Sequence, residues 1–231
     1  MLQSKKFVPD NHIDFQNAFQ NLSACQSITL PHLGQEPKHF AEGYQGRTLL
    51  VTEQMIDIWN KLSADSDHSI KHVLSGPMGV GKSYISYFLA SKAYAEEWLV
   101  LYIADASDLN VESSEKAGTV ICKCFLALNK DILTAAELEK IVQFASNCNS
   151  QQVVVTVAEE ILDFIRSADR KVLLIVDEYG ILFEKDPVPL RIHLLSPLMN
   201  FNFWGEHYKF ACVIFMGTAH ASYEREYMKN V

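Results

Sequence analysis

Residues 76–83 read Gly76-Pro77-Met78-Gly79-Val80-Gly81-Lys82-Ser83, which fits the pattern G-x-x-x-x-G-K-[ST]. Glycines at this spacing let the backbone turn so tightly that successive N–H groups converge on phosphate oxygens. By average residue usage, a chance match in a chain of this length is on the order of 1%. The flanks fit as well. A short apolar strand around His72, Val73 and Leu74 precedes the loop, and Ile85, Phe88, Leu89 and Ala93 after it fall on one face of an amphipathic helix. A helix that starts at such a loop aims its positive amino end at the same anion. The pattern therefore predicts phosphate contacts along Gly76, Pro77, Met78, Gly79, Val80, Gly81, Lys82, Ser83 and Tyr84. Lys82 is expected to bridge the β- and γ-phosphates of a nucleotide, and the Ser83 hydroxyl to coordinate Mg2+.

About 95 residues further on, Val172-Leu173-Leu174-Ile175-Val176-Asp177-Glu178 is an apolar strand ending in two carboxylates, the Walker B arrangement. Asp177 is expected in the Mg2+ shell. Glu178, directly after it, is placed to orient and polarise a water for attack on the γ-phosphate, which makes it the general-base candidate. A third apolar strand, residues 210–216, leads into Gly217-Thr218-Ala219-His220. Where such a strand lies between the phosphate-loop strand and the acidic strand, a polar residue at its end senses the γ-phosphate. Thr218 is the first candidate for that role and His220 the second. Asp177-Glu178-Tyr179-Gly180 also fits the D-x-x-G of GTPases. Their guanine-reading N-K-x-D, however, follows a later strand. The look-alike Asn129-Lys130-Asp131 has the wrong spacing and lies before the acidic strand, so ATP is the expected nucleotide. Arg191 and Arg225 are arginines that nothing in the sequence separates from surface residues. Phe40, Tyr44 and Arg47 suit local core packing better than contact with an adenine.

The remaining chain supplies the frame. It has 231 residues, 48% hydrophobic and 21% charged, which suffices for one α/β domain with a short appendage and rules out wholesale disorder. A net charge of −8 argues against coating nucleic acid through bulk charge. No window offers 18 uninterrupted apolar residues, and the first residues lack an apolar secretory region, so an intracellular protein of cytoplasm or nucleus, with no membrane partner, is expected. Five sparse cysteines without zinc-ligand spacing suit the reduced state, with Cys124 and Cys212 acting as small hydrophobes. Residues 1–45, with Pro9, Pro31 and Pro37 and no sustained period, read as a partly extended leader that lies against the core rather than forming one; residues 46–231 read as the core. Met55, Ile58, Trp59 and Leu62 share a helical face behind Thr52, an N-cap residue. Strand Leu99–Ile103 follows. Next come helical stripes at Val120, Ile121, Cys124, Phe125 and Leu128, then at Leu138, Ile141, Val142 and Ala145 behind a Thr134/Glu137 capping box, then from Val154 to Ile165. Strands apolar on both faces and separated by helices predict a mostly parallel sheet covered by helices on both sides, a three-layer α/β fold.

In the order of phosphate loop, acidic strand with adjacent Glu, and Thr-ended strand, the chain resembles the AAA+/STAND branch of P-loop ATPases. More narrowly it resembles the ATPase module of Crinkler-type proteins of fungi and oomycetes. That likeness is carried by residues 76–85, the helix end Ala93-Tyr94-Ala95-Glu96-Glu97-Trp98, Leu101-Tyr102-Ile103-Ala104-Asp105, Asp177-Glu178-Tyr179-Gly180 and Gly43-Tyr44-Gln45-Gly46-Arg47. It covers roughly residues 40–220. The resemblance implies a P-loop NTPase fold with Mg2+-dependent ATP binding and hydrolysis used as a conformational switch. It also implies ATP and ADP as ligands, a protein partner or homo-oligomer, and, for an effector of this type, secretion into a host cell. Such ATPases continue past the Thr-ended strand with a fifth strand and often a helical lid, and both are expected to be missing here. A nucleotide-binding scaffold with negligible turnover is the alternative expectation.

Overall fold

The computed structural model describes residues 9–37, 47–64, 68–77, 79–109, 113–143, 150–183, 193–199, 201–204 and 211–218. In chain order its elements begin with α1 (Gln16–Phe19), β1 (Ser27–Thr29), β2 (Thr48–Leu50), α2 (Glu53–Ser63) and β3 (Ile70–Gly76). Then follow α3 (Lys82–Ala95), β4 (Leu99–Ile103), α4 (Ser114–Asn129), α5 (Ala135–Val142) and α6 (Ser150–Ser167). The last are β5 (Val172–Val176), α7 (Ser196–Met199) and β6 (Ala211–Thr218). Local chemistry fixes the starts of several helices. The Thr52 hydroxyl accepts from the Met55 N–H at 3.3 Å, the Ser113 hydroxyl from the Lys116 N–H at 3.3 Å, and Thr134 and Glu137 close the expected capping box.

The main sheet runs β3-β6-β5-β4, all parallel. The last strand in sequence is thus inserted between the first strand of this sheet and the acidic strand. Alternation along each strand divides the core into two faces. Val100, Tyr102, Leu173, Ile175, Ile214 and Met216 point to one side, where α2, α3 and the chain before residue 38 cover them. Leu99, Leu101, Leu174, Val176, Val213 and Phe215 point to the other, under α4 and α6. The chain is an α/β protein with a four-stranded parallel sheet flanked by helices.

Two details depart from the helical stripes. Val142, expected on the apolar face of α5, is 49% exposed, because that helix ends there; Ile141 is buried in the core and Leu138 packs against it. In addition, α3 is not amphipathic: every residue from Ile85 to Ala95 is buried. The cause is the preceding chain. Phe19, Ile28, Leu30 and Leu33 join the core cluster that holds α3, and β1 pairs antiparallel with β2. The Tyr87 hydroxyl donates to Pro31 O at 3.0 Å and accepts from the Leu33 N–H at 3.2 Å. Buried Lys92 donates to Phe19 O and to Glu96, both at 2.7 Å. A boundary at residue 45 falls outside the described residues.

Strand β4 lies at a sheet edge, and side-chain amides finish its hydrogen bonding. In a strand, alternate residues turn their N–H and C=O to the same side. Leu99 and Ile103 bond toward β5, through Lys171 O and the Asp177 N–H, which leaves Val100, Tyr102 and Ala104 facing outward. Asn129 accepts from the Val100 N–H at 2.9 Å and donates to Val100 O at 2.8 Å. Gln35 donates to Tyr102 O and accepts from the Ala104 N–H. Covering an edge in this way removes a template for unwanted strand pairing. Among the described residues, no helix is long and apolar enough to cross a membrane.

Candidate functional site

The loop 76–83 joins the carboxyl end of β3 to α3. Gly79 and Gly81 have φ of +83° and +87°, and a Cβ at either would meet no atom within 4 Å. The requirement for glycine there is conformational rather than spatial. Gly81 is the N-cap of α3, and its carbonyl accepts from the Tyr84 and Ile85 N–H groups at 3.0 and 3.1 Å. Helix geometry leaves the Lys82 and Ser83 N–H groups, ahead of these, without intrahelical partners, so they face the loop. The Lys82 ammonium folds back inside it, donating to Gly76 O at 2.9 Å and Pro77 O at 2.8 Å. Val80 at the loop tip is 56% exposed, Pro77 is exposed, and the Tyr84 ring packs against the core. Met78 lies outside the described residues.

The acidic strand ends beside this loop. Asp177 is 2% exposed. The Glu178 N–H donates to its Oδ1 at 2.9 Å, the Ser86 hydroxyl to its Oδ2 at 3.0 Å, and the Ser83 hydroxyl also bonds to it. Burial pushes its carboxyl up to about 6, against the pull of those three donors, and the neighbouring Glu178 charge adds to the rise. The leading influences on this carboxyl include no cationic side chain. Ser83 and Asp177 thus meet across the loop as two hard oxygen donors.

Glu178 is half-buried and adopts φ +53°, the left-handed region, so the chain turns sharply as it leaves β5. Non-glycine residues held there cost about 1–3 kcal/mol and cluster at functional sites. Tyr179 fixes the turn from the other side. Its ring stacks on Phe215, with centroids 5.6 Å apart, and lies over Gly217, where a Cβ would come within 2.8 Å of the ring. Gly217→Ala should therefore displace Tyr179 and cost about 1–3 kcal/mol. Urea unfolding tests this, and the cost should shrink in a Tyr179→Ala background.

Register places Thr218 opposite Gly76, the first glycine of the loop. Its side chain, like His220, Arg191, Arg225, Phe40 and Tyr44, lies outside the described residues. Arg47 pairs with Asp10, and its carbonyl accepts from the Leu30 N–H at 2.8 Å, which ties it to the chain before residue 38. Asn129 is fully buried and its amide is committed to β4 and to Phe125 O, so it is not available to read a base. The sequence reading missed Ser86 and Tyr102. Ser86 follows Ser83 by three residues, one helical turn, and that spacing was its only visible signal. Nothing in the sequence brings Tyr102, on another strand, to the same place.

Among the described residues, no group of three or more His, Cys, Asp or Glu is arranged to hold a metal. Mg2+ needs less, since it is commonly held by one or two protein oxygens together with waters and substrate phosphates. A buried carboxylate with only neutral donors, next to a serine hydroxyl, fits that requirement. Buried Cys122, Cys124 and Cys212 are pushed up to about 11, 12 and 12 by desolvation, so they stay protonated and pack as small hydrophobes. A cavity of about 680 Å3 is lined by Tyr94, Glu97, Lys130 and Arg170 among others, at the amino ends of β4 and β5. It shares no residue with the loop or the acidic strand end. A scan against protein-family models and a search of curated proteins found no match to this chain.

Proposed function

We propose that this chain is a P-loop ATPase of the AAA+/STAND branch, similar to the Crinkler-type module, which binds Mg2+-ATP and hydrolyses it as a conformational switch. The observation that carries this reading is the meeting of Ser83, on the phosphate-loop helix, with buried Asp177, at the end of the acidic strand. The insertion of β6 between β3 and β5 supports the same branch, because it sets Thr218 beside the loop.

On this reading the loop N–H groups and the α3 amino end hold the phosphates, and Lys82 exchanges its two loop carbonyls for β- and γ-phosphate oxygens. Ser83 and Asp177 hold the metal. Bound Mg2+ supplies neutralisation of the charge that builds on the phosphate oxygens. Glu178, held in its left-handed turn by the Asp177 carboxylate and Tyr179, orients a water and accepts its proton. Thr218 senses the γ-phosphate from the neighbouring strand. Phosphoryl transfer to water depends mainly on such positioning and charge stabilisation.

The test is ATP and GTP binding and turnover by wild type, Lys82→Ala and Glu178→Gln. Lys82→Ala should weaken nucleotide binding at least tenfold. Glu178→Gln should bind ATP like wild type and turn it over about 10²–10⁴-fold more slowly, the usual contribution of a general base. Equal turnover by wild type and Glu178→Gln, with binding intact, would leave a nucleotide-binding scaffold. Undiminished binding by Lys82→Ala would remove the phosphate-loop assignment itself.

A further inference from the structure

We propose that Ser86 is a positioning residue for the metal-holding carboxylate, with the Tyr102 hydroxyl setting the direction of its proton. The proposal rests on the reading of Asp177 as a Mg2+ ligand. Ser86 is fully buried on α3, and its single hydroxyl proton has two acceptors within reach: Ser83 O at 2.9 Å and Asp177 Oδ2 at 3.0 Å. A helical serine ordinarily spends its proton on a carbonyl one turn back. Here a third group decides. The Tyr102 hydroxyl, fully buried on β4, lies 3.5 Å from Ser86 Oγ. Burial holds this phenol protonated, so it has a proton to give Ser86 Oγ, and on our proposal that donation leaves the serine proton for Asp177.

The consequence is an oriented carboxylate. Oδ2 is fixed by Ser86 and Oδ1 by the Glu178 N–H, so the plane of the group is set from both sides. Its remaining lone pairs face Ser83, the other metal-holding oxygen. Such outer partners typically change metal affinity 10–100-fold when removed. Ser86 and Ser83 share α3, and Tyr102 is bonded through its carbonyl to Gln35, so the groups around the carboxylate at the end of β5 are themselves anchored.

The experiment titrates Mg2+ into each protein with a fluorescent ADP analogue and compares ADP affinity in EDTA with affinity in saturating Mg2+. Ser86→Ala is expected to keep the wild-type affinity in EDTA while needing about tenfold more Mg2+ for half of the metal-dependent gain. Tyr102→Phe, which deletes one oxygen from a ring that otherwise packs unchanged, should shift the same midpoint about threefold and serves if Ser86→Ala does not fold. A merely structural role would lower thermal stability and EDTA affinity together and leave the Mg2+ midpoint in place. An unshifted midpoint in both variants would overturn the proposal while wild type still responds to Mg2+. No Mg2+ response in wild type would overturn the Asp177 assignment and, with it, the proposal. No ADP binding at all would overturn the ATPase reading and the proposal together.

Discussion

Asp177→Asn is expected to make the nucleotide-free protein more stable at pH 7 while abolishing the Mg2+-dependent part of nucleotide binding. The carboxyl titrates at about 6 in the folded chain, against an ordinary 3.8. Between those two values the folded state binds more protons than the unfolded one, so stability falls as pH rises from about 4 to about 6 and then stays low. At about 1.4 kcal/mol for each tenfold change in proton affinity, the cost at neutral pH is on the order of 3 kcal/mol. Asparagine keeps an oxygen for the Glu178 N–H, and the Ser86 hydroxyl can rotate to accept from its amide, so the bonds survive without the charge. Urea unfolding at several pH values gives the measure. The advantage of Asp177→Asn should be small at pH 4 and fully developed at pH 7. Equal stabilities at both would contradict an uncompensated buried carboxylate. A group that destabilises its own fold until a cation arrives is what a metal site requires, because a neutral or already paired oxygen would bind weakly.

The second large effect concerns the sheet edge. Asn129→Leu keeps the branched skeleton of the side chain and removes both the acceptor for the Val100 N–H and the donor to Val100 O. Both backbone groups would then be buried without partners, at about 1–3 kcal/mol each, for a total loss of about 3 kcal/mol or more. Gln35→Leu removes the equivalent pair at Tyr102 and Ala104. Because Gln35 is half-buried, water can replace part of what is lost, and the cost should be less than half as large. Denaturant midpoints rank the two. If Asn129→Leu is as stable as wild type, Asn129 does not serve as the edge partner of β4. Neither substitution touches the phosphate loop, so nucleotide affinity in the folded protein should hold.

The sequence already carried the elements themselves. Val172–Val176 and Leu99–Ile103 appear where continuous apolar runs put them, because strands buried on both faces are built almost wholly of hydrophobic side chains. The caps at Thr52 and Thr134 are equally visible, since they are local hydrogen bonds between residues three apart. The loop glycines could be read because left-handed backbone at Gly79 and Gly81 excludes most other residues. What could not be read depends on distant segments arriving at one place. Nothing in the pattern of α3 says that residues before 38 will bury its outer face, since Ile28, Leu30 and Leu33 belong to a stretch with no period of its own.

The same division holds at the site. Lys82, Ser83, Asp177 and Glu178 are spelled out by two short motifs, each of which needs particular residue types at fixed spacing to turn a backbone and end a strand. Strand order, by contrast, was left to packing. Only the lateral pairing of β6 with both β3 and β5 sets Thr218 against Gly76, and only the same assembly brings Tyr102 from the edge strand to Ser86. Local motifs record chemistry that neighbours along the chain must satisfy together. Contacts such as Ser86 with Asp177, 91 residues apart, arise when hydrophobic burial closes the layers and selects which side chains meet.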